Sequence, residues 1–176
     1  MSDEKKYILK SHGSVQIDPE TGETRLALHP RMPSPPQVFY ADWIEAERVH
    51  GGVKLIAYAV GPAGSEAKAI QLAFAEEYFG ILVQSVREIS DAVLKYAPIN
   101  PGRPEFENVS VVGSFLATAG YVAVAQGGVS IDVYQLSPLD THRIAKGIHD
   151  LVEFRPVIRI EALPGRLNWM LDWSDE

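Results

Sequence analysis

The stretch VFYADWIEAERVHGGVKLIAYAV, residues 38–60, decides how the chain is read. Its β-branched and aromatic side chains favour extended backbone, and His50-Gly51-Gly52 supplies a tight turn. Val38–Val49 and Val53–Val60 are therefore expected as two strands that pair back on one another. Beyond a small-residue loop from Gly61 to Lys68, Ala69–Phe74 sets Ile70, Leu72 and Phe74 against smaller or polar neighbours, the period of a strand with one buried face. From Glu76 to Tyr96 the period changes. Phe79, Leu82, Val83, Val86, Ile89 and Val93 recur at helical spacing, while Glu77, Gln84, Glu88, Asp91 and Lys95 fall opposite, so a helix with one core face is expected.

Outward from this block the same order returns. Val109–Thr118, Tyr121–Gln126 and Val129–Leu136 read as strands with Gly120 and Gly127-Gly128 at the turns. Ser137-Pro138-Leu139-Asp140 then supplies a capping serine, a proline at the first helical position and an acid in the first turn. The helix is expected to run to about Phe154, with Ile144, Ile148, Leu151 and Val152 inward and His142, Lys146, His149 and Glu153 outward. Setting Phe74 against Leu136 brings Leu82 over Ile144 and Val86 over Ile148. The expectation is an α+β fold made of a tandem repeat, residues 37–97 and 107–154, each a three-stranded antiparallel unit plus one amphipathic helix. A β-hairpin is added at each terminus, residues 7–29 around Asp18-Pro19-Glu20-Thr21-Gly22-Glu23 and residues 156–173 around Leu163-Pro164-Gly165. Pro30–Pro36 and Pro98–Pro104 are linkers. In the last strand Leu167, Trp169, Leu171 and Trp173 alternate on one side, which must then lie on the core or on a partner.

At 176 residues the chain suits one domain. It has no cysteine, which excludes disulfides and thiolate metal sites and fits a reducing compartment. No apolar run suits a membrane span, and the charged start Met1–Lys6 is unlike a signal peptide, so a cytoplasmic protein is expected. Sixteen Lys and Arg against 23 Asp and Glu leave a net charge of −7, which disfavours a phosphate-gripping nucleic-acid binder.

The residue types that carry chemistry are scattered. His142 and His149 stand two helical turns apart, about 10 Å, too far to share one ion. Gly61-Pro62-Ala63-Gly64-Ser65-Glu66 lacks the Gly-Lys-Ser/Thr ending of a phosphate loop. Asp42, Glu45 and Glu47 flank Trp43, yet Asp42 points to the opposite face from the two glutamates in an unbroken strand. These acids, like Asp132, read as the polar beat of alternating strands. No catalytic residue, metal site or cofactor is expected. Candidate binding residues are the strand aromatics and cations Tyr40, Trp43, Arg48, Lys54, Tyr58, Tyr134 and Arg159, with Trp169 and Trp173 on the last strand.

Tyr40-Ala41-Asp42 opening a strand, the glycine turn, and the Ser137-Pro138 helix start with Thr141-His142-Arg143 resemble the bacterial domain of unknown function 3467 family. The likeness covers about Val38–Ala97 and, more loosely, Val109–Phe154, and the family brings no activity with it. Tandem strands followed by a helix also look like the arrangement of Whirly and PUR-type single-stranded nucleic-acid binders. The leading expectation is a non-catalytic binding or assembly module, a homo-oligomer or partner of another protein, joined through the C-terminal apolar strand. The alternatives are a single-stranded nucleic-acid binder using the strand aromatics with Arg48, Lys54 and Arg159, and an enzyme acting through carboxylates or His149-Asp150.

Overall fold

The computed structural model describes residues 5–8, 13–17, 24–28, 35–91, 102–125, 128–147 and 154–174. Strands β1 (Lys5–Ile8), β2 (Gly13–Ile17) and β3 (Thr24–Leu28) form an antiparallel sheet in that order. Its β2–β3 pair is the expected N-terminal hairpin, with Ile17 opposite Thr24 and Gly13 opposite Leu28. The turn at 18–23 and the proline-rich residues 29–34 lie outside the described residues.

Val38–Val49 is not the single strand its composition suggests. β4 (Val38–Ala41) and β5 (Trp43–Val49) belong to different sheets, and the chain passes between them at Asp42. The Asp42 N–H donates to the Tyr58 carbonyl at 2.7 Å, while the Asp42 carboxylate accepts from the Val60 N–H at 2.7 Å. A side chain thus takes a place that strand backbone would otherwise fill, and the chain is free to turn away. β5 pairs with β6 (Gly52–Val60) and β6 with β7 (Glu66–Phe74), all antiparallel. β8 (Asn108–Ala117) then lies parallel to β7. A parallel neighbour needs a crossover, which helix α1 (Glu76–Glu88) provides. This four-stranded sheet has the order β5-β6-β7-β8.

The other sheet is built the same way. β8 runs through Thr118 into β9 (Ala119–Ala125), which pairs with β10 (Gly128–Gln135), and β10 with β11 (Arg155–Ala162). β4 completes it parallel to β11, giving β4-β11-β10-β9. Thr118 does what Asp42 does: its N–H donates to the Tyr134 carbonyl at 2.8 Å, and its hydroxyl oxygen accepts from the Leu136 N–H at 2.9 Å. Asp42 to Thr118, Tyr58 to Tyr134 and Val60 to Leu136 are each a step of 76 positions, as are the pairs Trp43 with Tyr58 and Ala119 with Tyr134. On the third strand the step is 88, Phe74 opposite Val53 answering to Ala162 opposite Val129. The twelve extra positions hold helix α2 (Pro138–Ala145).

By this spacing Leu136 matches Val60 and not Phe74, and the two helices fall at different points of the chain order: α1 follows β7 and α2 follows β10. α2 begins as expected, with the Ser137 hydroxyl accepting from the Asp140 N–H at 3.1 Å. Residues 148–153, on which the rest of its apolar stripe was placed, lie outside the described residues, as do residues 92–101 beyond α1.

The expected C-terminal hairpin is absent. Only its first half is a strand, β11; Pro164–Asp172 is a 3-10 helix. Three residues per turn align Leu167, Met170 and Trp173, a period-three row that outweighs the period-two alternation of Leu167, Trp169, Leu171 and Trp173. Leu167 and Met170 are fully buried.

One core joins both four-stranded sheets. It takes Ile44, Val53, Leu55, Ile70 and Leu72 from one, Val122, Ile131, Val133, Ile158 and Ile160 from the other, and Phe79, Leu82, Val83 and Val86 from α1, the face its periodicity indicated. Gly52 has no room for a side chain: a Cβ there would lie 2.0 Å from the Phe74 carbonyl oxygen. Among the described residues no helix is long and apolar enough to cross a membrane.

Candidate functional site

The nine candidate residues are not gathered into one site. Trp43 and Tyr58 lie on the face of the β5–β8 sheet turned away from the main core, buried in a smaller cluster with Ile56, Ala67 and Ala69. Between them sits Glu45. Its carboxylate accepts from Trp43 Nε1 at 3.0 Å, from the Tyr58 hydroxyl at 2.8 Å, and from Arg103 Nε and Nη2 at 2.6 and 3.0 Å. Arg103 reaches in from the segment that precedes β8, and Phe106 of that segment stacks on Tyr58 with ring centroids 5.1 Å apart. The Arg103 guanidinium, aided by the Tyr58 and Trp43 donors against the opposing effect of burial, holds the Glu45 carboxyl down at about 2. Burial, then the bond to Glu45, pushes the Tyr58 hydroxyl up to about 12. Neither group exchanges a proton near neutrality, so this is a clamp fastening a strap to a sheet and not an acid–base site. Glu45 is thus not the solvated polar beat expected of it.

Asp132 is likewise no solvated beat. It lies opposite Arg159 in the β10–β11 register and accepts from Arg159 Nε at 2.6 Å and Nη2 at 3.0 Å, both side chains buried. The Asp132 bond raises the Arg159 pKa. Tyr134 is buried beside the pair, and burial pushes its hydroxyl up to about 12. Arg48 is bound to the Glu76 carboxylate and the Ser174 carbonyl and lies 5.0 Å from the centre of the Trp173 ring. Lys54 donates to Glu47 at 2.7 Å. Trp173 packs edge-on to Phe79 at 5.0 Å and Trp169 to Trp173 at 5.8 Å, so the C-terminal aromatics cap their own core rather than offering a flat apolar strand. Of the nine, Tyr40 on the edge strand β4 is the most exposed, at 68%.

The Gly61–Glu66 loop closes on itself through Gly61 N–H to the Glu66 carbonyl at 2.7 Å and leads into a strand, so it is a turn and not a phosphate cradle. Beside it a cleft of about 450 Å³ is lined by Val60, Pro62, Glu66, Lys68, Asn108 and Ser110. Among the described residues no group of three or more His, Asp or Glu could hold a metal ion. His149 and Asp150 lie outside the described residues.

A feature that sequence reasoning missed is the edge formed by β8. Among the described residues this ten-residue strand, NVSVVGSFLA, closes the β5–β8 sheet with β7 as its one strand neighbour. Val109, Val111, Val112 and Leu116 are 46, 52, 55 and 63% exposed. The register with β7 skips Val112, a single bulge, leaving Val109, Val111 and Leu116 on the face that carries Ala67, Ala69 and Phe106. Natural edges are blunted by charge, proline or brevity. β8 has no charged residue and no proline, and it is long. The Val111-Val112 doublet, which breaks strict alternation, is the mark of the bulge in the sequence; nothing local marks the strand as an edge.

The chain matches no family model, no curated protein and no solved structure.

Proposed function

We propose that this chain is a non-catalytic binding and assembly module that works by taking a further β-strand onto the β8 edge. The observation that carries the reading is the exposed, uncharged, ten-residue edge. Strand addition needs unpaired backbone for affinity and apolar side chains for grip, and β8 offers both. Each of its four half-exposed side chains can contribute on the order of 1 kcal/mol when covered, about half of full burial.

The module is built, in this reading, from a duplicated four-stranded unit, β4–β7 and β8–β11, in which each copy lends its first strand to the other's sheet. The step of 76 positions shared by the bends and by the β5–β6 and β9–β10 hairpins supports the duplication. Kinship with the domain of unknown function 3467 family rests on Tyr40-Ala41-Asp42, whose aspartate makes the first bend. A nucleic-acid surface is less well supported, because Arg48, Lys54 and Arg159 are each committed to a carboxylate.

The test is binding of a soluble peptide carrying the β8 sequence between terminal lysines, followed by fluorescence anisotropy. Saturable binding is expected, at least about tenfold weaker to Val111→Lys, which sets a charge on the edge. A peptide that does not bind, or binds both proteins alike, would remove the β8 edge as the working surface.

A further inference from the structure

We infer that the strand added at this edge is β8 of a second copy, antiparallel to the first about a two-fold axis perpendicular to the sheet; this rests on the strand-addition reading. Two four-stranded sheets would then become one continuous sheet across two molecules.

Charge is the first argument. The chain carries −7 overall, so two copies repel except where a contact contains no charge, and β8 contains none. Direction follows from its flanks. Glu105 and Glu107 precede the strand. In a parallel pair they would meet their counterparts. In an antiparallel pair they lie at opposite ends of a strand about 34 Å long, beyond the screening length of about 8 Å. An antiparallel pair is also the arrangement that closes as a two-fold dimer instead of growing into a fibre.

Shape is the second argument. An axis perpendicular to the sheet keeps equivalent faces on the same side, so Val109, Val111 and Leu116 of both strands share one face, with Val109 of each copy toward Leu116 of the other, the apolar cross-strand pairing that stabilises sheets. Size is the third. An edge contact of this length, one strand deep, covers roughly 1,000–1,200 Å² in total, the lower end of specific interfaces. The dimer is therefore concentration-dependent, not obligate.

The experiment is sedimentation velocity across about three decades of concentration on the full chain, on Val111→Lys, on Val111→Glu and on an equimolar mixture of the two variants. The wild type is expected to pass from monomer to dimer, each variant to associate at least about tenfold more weakly, and the mixture to regain dimer, because position 111 of one copy then lies diagonally across from the opposite charge on the other, within reach of the long side chains. The absence of cysteine allows single spin labels at Asn108→Cys or Val112→Cys. In an antiparallel pair centred near Val112 the 112 labels are close and the 108 labels roughly 25–30 Å apart, whereas a parallel pair brings both close. A monomer at every concentration overturns the inference; if that monomer still binds the β8 peptide, strand addition stands with a different partner, and if it does not, both readings fall. A dimer indifferent to residue 111, or a parallel label pattern, also overturns it.

Discussion

Replacing Arg103 by alanine should lower stability by about 1–2 kcal/mol at pH 7, and by less than half of that at about pH 2. The guanidinium makes two bonds to Glu45, whose carboxyl falls from an ordinary 4.5 to about 2. At 1.36 kcal/mol per unit, that fall corresponds to about 3.4 kcal/mol. Arg103 is 58% exposed, so water screens the pair, and the Tyr58 and Trp43 donors stay on the carboxylate when the arginine is gone. About half of the total or less is therefore assigned to Arg103. Because the folded-state pKa is depressed, the contribution is fully present above 4.5 and is lost as the pH falls through about 2. Urea unfolding followed by tryptophan fluorescence measures the gap, with Trp43 at the site itself as a local reporter. No loss at pH 7, or an equal loss at pH 7 and about pH 2, would refute the clamp.

Gly52→Ala should destabilise by about 3 kcal/mol or more, since its Cβ would strike the main-chain oxygen of Phe74, whereas Gly80→Ala, with open space around its Cβ on α1, should stabilise by roughly 0.5–1 kcal/mol; thermal unfolding of the pair checks the contrast. Arg159→Met should cost about 3–5 kcal/mol by leaving Asp132 buried without its bidentate partner, and Asp132→Leu added to it should recover much of that loss, as a double-mutant cycle in denaturant would read.

Much of the fold could be read from local pattern, because local pattern caused it. The Gly51-Gly52 turn, the alternation of Ile70, Leu72 and Phe74, the inward face of α1 and the Ser137 cap are each decided by neighbours in sequence. What could not be read depended on distant partners. Asp42 looks like a polar beat inside one strand, and only the Tyr58 and Val60 backbone turns it into a bend between sheets. Glu45 and Asp132 look solvated until Arg103 and Arg159 arrive from other elements. Leu167 and Trp173 satisfy two periods at once, and packing of Trp173 on Phe79 goes with the shorter turn. For the candidate site the residue types misled: aromatic and basic side chains drew attention, while the surface that stands open is a run of valines whose place at a sheet edge is set by topology.

The central claim, that β8 is the surface through which this chain associates, is tested most directly by the solution mass of the wild type and of Val111→Lys, measured by light scattering from low micromolar to millimolar concentration. A wild-type mass that rises toward that of a dimer, beside a variant that stays monomeric while unfolding at the same temperature, is the predicted result. Equal masses for the two proteins at every concentration would contradict it.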